Sequence, residues 1–238
     1  MDDFESFMML RTPTAERPLL GMTVLLVEDS RFTSEAMRLL CLRSGARIRR
    51  ADCLASARRH LQVYRPCVVV VDMGLPDGTG ADLIAELHRA RPRINVVLGI
   101  SGDSSREAEA LQAGADGFLA KPVESLALFQ QAILAHLPDD AKPSGPRVVH
   151  DDRISPDLVA FHDDIAHAAD VLSKRPKGKT LDYVAHFTRG IAKSAHDNRL
   201  EAAAKALARD RAAGASVKQD VQLLRGMFED RLQEREIV

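Results

Sequence analysis

The sequence is poor in cysteine, and the three cysteines it has do not form a recognisable site. Cys41, Cys53 and Cys67 are odd in number and lie far apart, whereas zinc knuckles and redox pairs place cysteines a few residues from one another. This arrangement gives no support for a disulfide framework, a metal knuckle or a redox pair. The cysteines are expected to be small, buried hydrophobic side chains in a reducing cytosol.

Long apolar runs and an excess of one charge are also missing. No segment approaches the ~18 apolar residues of a membrane span, and the first five residues are acidic where a secretion signal is basic. The formal net charge is -1, so composition gives no evidence for the positive surface of a nucleic-acid binder. We therefore expect a cytoplasmic protein without a membrane partner, for which DNA binding has to be argued from a motif.

Length and proline placement predict two domains. The chain has 238 residues, of which 45% are hydrophobic and 28% charged, values typical of folded domains rather than disordered chains. The segment 138–146 holds three prolines and is typical of a linker. The predicted divisions are an N-terminal extension (1–21), an α/β domain (22–137), a linker (138–153) and a helical domain (154–238).

The α/β domain is predicted from the alternation of short β-branched runs with amphipathic segments, which is typical of βα units in a parallel sheet. The run Val68–Val71 is apolar on both faces, as a central strand covered by helices on both sides requires. The expected fold is a doubly wound, five-stranded parallel sheet. Its predicted strands are 23–28, 46–50, 67–71, 95–100 and 116–119, and its predicted helices are 32–42, 54–64, 81–90, 105–113 and 125–137.

Polar side chains follow four of the predicted strands. The carboxyl ends of parallel strands meet at one edge of the sheet, where ligands bind. Carboxylates that converge there repel one another unless a cation lies among them, and Mg²⁺ is the hard cation that suits oxygen ligands and keeps several waters. The residues concerned are Glu28, Asp29, Asp72, Ser101 and Lys121.

These residue types indicate phosphoryl transfer to a carboxylate. Asp72 can attack a phosphoryl donor, while Mg²⁺ and Lys121 offset charge on the phosphoryl oxygens. The Ser101 hydroxyl can donate a hydrogen bond to one of those oxygens. The expected product is an acyl phosphate on Asp72.

Four segments at these strand ends resemble response-regulator receiver domains of the chemotaxis-regulator type. The resemblance extends over 22–137. It implies that Glu28, Asp29, Asp72 and the backbone carbonyl of Gly74 hold Mg²⁺, and that the Lys121–Pro122 bond is cis. The segments are Val24–Ser30, Val70–Gly78, Ile100–Gly102 and Phe118–Pro122.

The resemblance also implies partners and a switch. A histidine kinase or a histidine phosphotransfer protein would supply the phosphoryl group. Ser101 and Phe118 occupy the positions of the switch hydroxyl and the switch aromatic. Phosphorylation is expected to promote homodimerisation through the surface of the fourth helix, fifth strand and fifth helix. One departure stands out, because Gly74 replaces a side chain that often sits two residues after the acceptor, which leaves the phosphoryl group less covered.

The C-terminal part is predicted to be a bundle of about four helices. The first and last helices each carry a single apolar seam, which is typical of helices that pack in a bundle. We find no Gly-rich phosphate loop, Ser/His/Asp set or zinc spacing. The expected output is a protein-interaction or dimerisation domain under receiver control and not an independent enzyme; the receiver assists only its own phosphorylation and dephosphorylation. The seams are Leu158, Phe161, Ile165, Ala168 and Leu172, and Val217, Val221, Leu224, Phe228 and Leu232.

Two alternatives remain open for this domain. A helix-turn-helix with Gly214 in its turn would make it a DNA-binding transcriptional regulator, although Asp210 and Asp220 then occupy positions where such motifs bury small or apolar residues. The other alternative is a phosphorelay protein, because His162 is followed by Asp163 on a predicted helix and resembles the phosphoacceptor box of histidine kinases.

Overall fold

The computed structural model describes residues 12–143, 145 and 152–234. Its first part is a five-stranded parallel sheet with the strand order β2-β1-β3-β6-β7, which confirms the predicted α/β fold. The strands are β1 (Thr23–Val27), β2 (Arg47–Ala51), β3 (Val68–Asp72), β6 (Val96–Ser101) and β7 (Gly117–Ala120). The flanking helices are α1 (Arg31–Ser44), α2 (Leu54–Val63), α3 (Gly80–Arg89), α4 (Glu107–Ala113) and α5 (Leu126–Leu134).

The predicted element boundaries differ from the observed ones by small amounts. Strands β2, β3, β6 and β7 each begin and end one residue later than predicted. The residues Ser104–Arg106 form a 3₁₀ turn that leads into α4, and α5 ends at Leu134 rather than at Leu137. A short antiparallel hairpin of β4 (Gly74–Leu75) and β5 (Gly78–Thr79) was not predicted. Asp72 consequently lies inside β3, as its last residue.

The sheet separates two apolar layers. Val68 and Val70 face the layer that α1 and α5 cover, whereas Val69 and Val71 face the layer of α2, α3 and α4. All four valines are fully buried, because β3 is the middle strand and pairs in parallel with β1 and β6. The alternation fixes the register of β3, since a one-residue shift would exchange its two faces.

Segments on either side of the α/β domain also pack against it. Leu19 is fully buried in the layer beneath α1, and its backbone N–H donates to the Ser44 carbonyl at 3.0 Å. Ile154 is buried in the same layer, and Arg153 pairs with Ser125 as an antiparallel bridge. Parts of the predicted extension (1–11) and linker (144, 146–151) lie outside the described residues, so those boundaries stay predictions.

Four helices form the C-terminal part, as predicted. They are α6 (Leu158–Ser173), α7 (Lys179–Ser194), α8 (Asn198–Ala212) and α9 (Lys218–Glu234). Both predicted seams contribute to one shared apolar core, in which Ile165, Leu172, Leu224 and Phe228 are fully buried. Asp157 caps α6, because its side chain accepts the Val159 N–H. Within the described part of the chain, no helix combines the length and the apolar character needed to cross a membrane.

Candidate functional site

The five predicted site residues meet at the carboxyl edge of the sheet. Strands β1, β3, β6 and β7 are neighbours, so the residues at their ends converge. Asp72 ends β3, Ser101 ends β6, and Lys121 directly follows β7. Together with Glu28 and Asp29, which follow β1, these residues line one pocket.

Three carboxylates at this edge form a cluster that fits a cation. Glu28, Asp29 and Asp72 each offer one oxygen, and these oxygens lie within 4.8 Å of one another. The Asp29 Oδ1 is buried and has no hydrogen-bond partner among the described residues. A buried, unpartnered carboxylate oxygen is costly unless a ligand binds it, so this oxygen is a ready metal ligand.

The electrostatics of the cluster indicate the same need for a positive charge. Burial, reinforced by the Asp72 charge, raises the pKa of Asp29 to about 7. Burial likewise raises the pKa of Glu28 well above its ordinary value, although Lys121 opposes the shift. Carboxyl groups with raised pKa values are destabilised in their charged form, and a divalent cation would reverse that effect.

Lys121 contacts two of these carboxylates. Its ammonium lies 2.6 Å from the Glu28 Oε2 and 3.3 Å from the Asp72 Oδ2, and only 4% of its side chain is exposed. Burial opposes the ammonium charge, but Asp72 and Glu28 prevail and raise the pKa of Lys121. A charged lysine is therefore held beside Asp72.

Ser101 and Phe118, the two predicted switch residues, lie in different places: Ser101 lines the acidic pocket and Phe118 does not. Ser101 is buried, and its hydroxyl accepts the Asp103 N–H at 3.1 Å. Phe118 is half-buried on β7, and it lines a surface groove with Pro122 and Leu128, away from the acidic pocket. The Lys121–Pro122 peptide is cis.

Comparisons with known proteins match this part of the chain. Residues 24–133 match the family model of the response regulator receiver domain. These residues form a response regulator receiver domain. The polar pocket that Asp72 lines therefore belongs to this receiver domain and is called the receiver pocket.

Individual relatives are similar over about half of the chain. The chain is 32% identical over 99 residues to the KDP operon transcriptional regulatory protein KdpE of Escherichia coli, covering 42% of this chain and 44% of that protein. It is 34% identical over 113 residues to KdpE of Mycobacterium tuberculosis, covering 46% and 50%. The beryllofluoride-activated NtrC4 receiver domain dimer is 26% identical, with a TM-score of 0.44, and covers 50% of this chain and 98% of that one. The chain thus spans about half the length of the curated relatives it matches.

Helix α7 of the helical domain lies against the receiver pocket. The Tyr183 hydroxyl donates to the Asp29 Oδ2 at 2.6 Å. Further along α7, the Arg189 Nη1 lies 2.8 Å from the Asp103 Oδ2, and the Lys193 ammonium donates to the Gly102 carbonyl at 2.9 Å. The receiver pocket is therefore built from both domains.

Helix α6 makes a second contact, at the start of α1. The Asp164 carboxylate accepts the Ser30 hydroxyl at 2.7 Å and the N–H groups of Arg31 at 2.8 Å and Phe32 at 3.0 Å. Asp164 is buried, and burial raises its pKa although these donors oppose the shift. An acid from the helical domain thus satisfies free N–H groups at the N-terminus of a receiver helix.

Two histidines of the helical domain differ in their position relative to the receiver pocket. His162 lies on α6 with its Nδ1 2.8 Å from the Leu158 carbonyl, and it does not line the receiver pocket. His186 on α7 lines that pocket together with Asp72. Partial desolvation of the imidazole within the pocket and the neighbouring Arg106 guanidinium lower the pKa of His186, which favours a neutral imidazole.

Sequence reasoning missed the contribution of α7 altogether. Tyr183, His186, Gly190 and Lys193 follow one another at spacings of three, four and three residues, so they share one face of the helix. This spacing was visible in the sequence. It does not reveal that the face contacts the receiver, because that contact depends on how two separately predicted domains pack.

Proposed function

We propose that this protein is a two-component response regulator whose receiver accepts a phosphoryl group on Asp72 and controls the helical domain. The observation that carries the proposal is the joint position of Asp72, Lys121 and an unpartnered Asp29 oxygen in one pocket. A nucleophilic carboxylate beside a fixed cation and free cation ligands is the arrangement that phosphoryl transfer requires. A histidine kinase or a histidine phosphotransfer protein is the proposed donor.

Mg²⁺ is the proposed cofactor. Glu28, Asp29 and Asp72 would hold it, together with the backbone carbonyl of Gly74. When bound, the ion supplies positive charge to the oxygens of the phosphoryl group. Lys121, 3.3 Å from the Asp72 Oδ2, would neutralise further charge on those oxygens, and the Ser101 hydroxyl would donate a hydrogen bond to one of them.

The helical domain is the proposed output, as a protein-interaction or dimerisation domain without catalytic activity of its own. Support comes from its contacts with Asp29, Asp103 and Gly102, all beside the proposed phosphorylation site. Tyr183 on α7 is hydrogen-bonded to Asp29, and oxygens of Asp29 and Asp72 lie within 4.8 Å of each other, so a change of charge at Asp72 would act close to α7. A ligand shifts a conformational equilibrium when it binds two states with different affinity, and these contacts supply that difference.

Phosphorylation with acetyl phosphate and Mg²⁺ tests the assignment of Asp72. Intact-mass measurement is expected to show one added phosphoryl group on the wild-type protein and none on Asp72→Asn. Asp82→Asn serves as a matched control, because Asp82 is exposed on α3 and does not line the receiver pocket. Equal phosphorylation of the Asp72→Asn variant would refute the proposal.

DNA-binding transcriptional regulation is the second candidate output. The observation in its favour is that the matched relatives are named transcriptional regulatory proteins. Against it, Asp210 and Asp220 flank the turn that joins α8 to α9. An electrophoretic shift assay on random DNA at low salt distinguishes the two outputs, since even non-specific binders are retained under that condition. Retention would favour DNA output, and free migration would favour a protein partner.

A further inference from the structure

Helix α7 holds His186 at the receiver pocket between two anchored points. On one side, one turn before His186, the Tyr183 hydroxyl donates to Asp29. On the other side, one turn after it, Gly190 approaches Gly102 so closely that a Cβ on Gly102 would lie 3.2 Å from the Gly190 Cα. Since the three α7 residues share a face of the helix, His186 lies on the face that contacts the receiver, and it lines the same pocket as Asp72.

The receiver leaves space for this histidine. Gly74, two residues after Asp72, has no side chain, and a Cβ added there would meet the Arg106 Nη1 at 3.7 Å and the His186 Cβ at 3.9 Å. His186 of the helical domain therefore lies next to the position from which a side chain at residue 74 would cover the phosphoryl group. A Cβ at position 74 would therefore already be in van der Waals contact with α7.

Cationic groups line the pocket that His186 and Asp72 share. Arg106, Lys121 and Arg189 all line the pocket. The Arg189 Nε is buried and has no hydrogen-bond partner among the described residues, even though another nitrogen of the same guanidinium pairs with Asp103. A buried, unpartnered guanidinium N–H is a donor available to an anion such as a phosphoryl group.

We propose that His186 is a second phosphoacceptor and exchanges a phosphoryl group with Asp72 within the same chain. This inference rests on the proposed phosphorylation of Asp72. It makes the helical domain a phosphotransfer partner of the receiver, and it assigns to His186 the role that the sequence suggested for His162.

The transfer balances without any further reactant. The lone pair of an imidazole nitrogen of His186 attacks the phosphorus, the P–O bond to Asp72 breaks, and its electron pair stays on the Asp72 carboxylate. A P–N bond forms in its place. In the reverse direction the carboxylate attacks and the imidazole leaves with the electron pair of the P–N bond.

Chemical stability distinguishes the two phosphorylated forms. An acyl phosphate is lost in alkali, whereas a phosphohistidine survives alkali and is lost in acid. The full-length wild-type protein, with radiolabelled acetyl phosphate and Mg²⁺, is expected to carry both labels. His186→Gln is expected to keep the alkali-labile label and lose the alkali-stable one, and Asp72→Asn is expected to lose both. Because His186 is exposed, the glutamine variant should fold, which circular dichroism checks.

Other outcomes count against the inference in distinguishable ways. A wild-type protein labelled on Asp72 alone would overturn the role of His186 and leave the proposed function intact. Absence of any label on Asp72 would overturn the proposed function as well. An alkali-stable label that persists in His186→Gln but disappears in His162→Gln would return the assignment to His162.

A second variant tests the route within one chain. Gly190→Leu keeps His186 but adds a side chain where α7 meets the receiver, since a Cβ there already lies 3.9 Å from the Lys121 Nζ. Transfer from Asp72 to His186 is expected to slow by at least about tenfold, a loss typical of a displaced reacting group. An unchanged rate would show that transfer does not use the observed contact face.

Discussion

Charged carboxyl groups in the receiver pocket lower the free energy of unfolding when no cation is bound. Asp29 is charged at neutral pH only at the expense of folding, because burial raises its pKa to about 7 from the value near 3.9 of an unfolded chain. The folded protein therefore favours protonated Asp29. Its contribution to stability is greatest at acidic pH and is lost as the pH rises from about 4 to about 7.

Asp29→Asn is accordingly expected to stabilise the metal-free protein. The gain in free energy of unfolding should be on the order of 2 kcal/mol above pH 7, and it should shrink towards pH 4, where Asp29 itself is neutral in both states. Urea unfolding in the presence of a chelator at several pH values measures this gain. A pH-independent gain would contradict the explanation. The variant should also lose the stabilisation that added Mg²⁺ gives the wild-type protein.

At the scale of elements, the start of α1 depends on an acid from another domain. Asp164 on α6 accepts hydrogen bonds from Arg31 and Phe32, while its neighbour Asp163 forms an ion pair with the Arg31 side chain, 72% of which is exposed. Adjacent acids on the same helix therefore make contacts of very different strength, since exposed pairs contribute little.

Asp164→Ala is expected to destabilise the protein by about 2 to 3 kcal/mol, because it leaves buried donors without an acceptor. Asp170→Ala, the matched control on the same helix, removes an exposed ion pair with Lys174 and should change stability by less than about 0.5 kcal/mol. Chemical denaturation of both variants measures the difference. Amide hydrogen exchange should locate the loss of protection at the first turn of α1; equal effects of the two substitutions would contradict this account.

The sequence predicts elements well where the pattern is local and poorly where it depends on packing between domains. The parallel sheet can be predicted from runs such as Val68–Val71, because a strand that is buried on both faces needs consecutive apolar residues. The hairpin of β4 and β5 was missed because Gly74 and Gly78 carry no hydrophobic pattern. The roles of Asp164 and Tyr183 could not be predicted, since each depends on a receiver residue more than 130 positions away.

At the scale of the whole molecule, the receiver retains an exposed apolar surface away from α7. Leu111 on α4 and Leu128 on α5 are exposed hydrophobic residues, 45% and 65% accessible. Phe118 on β7 lines a groove beside Leu128. This is the surface of the fourth helix, fifth strand and fifth helix on which phosphorylation-promoted dimerisation is proposed.

Sedimentation tests that proposal. Beryllofluoride and Mg²⁺ together are expected to shift the wild-type protein towards a dimer, because activation exposes or reorders this surface. Leu128→Asp should remain monomeric under the same conditions, since a charge on a buried contact is costly. Val63→Asp is the matched control, as Val63 is 85% exposed on α2, and it should dimerise normally. An unchanged wild-type mass would count against dimerisation.

The hydrogen bond between Tyr183 and Asp29 also gives the protein an intrinsic optical signal. The chain has no tryptophan, and its two tyrosines are Tyr64 and Tyr183. Tyr64 directly follows α2 in the receiver domain. In a Tyr64→Phe variant excited at wavelengths that phenylalanine does not absorb, the ultraviolet emission therefore comes from one phenol that is hydrogen-bonded to a carboxylate of the proposed cation site. Emission from Tyr183 then reports, without any added dye, whether α7 is in contact with the receiver.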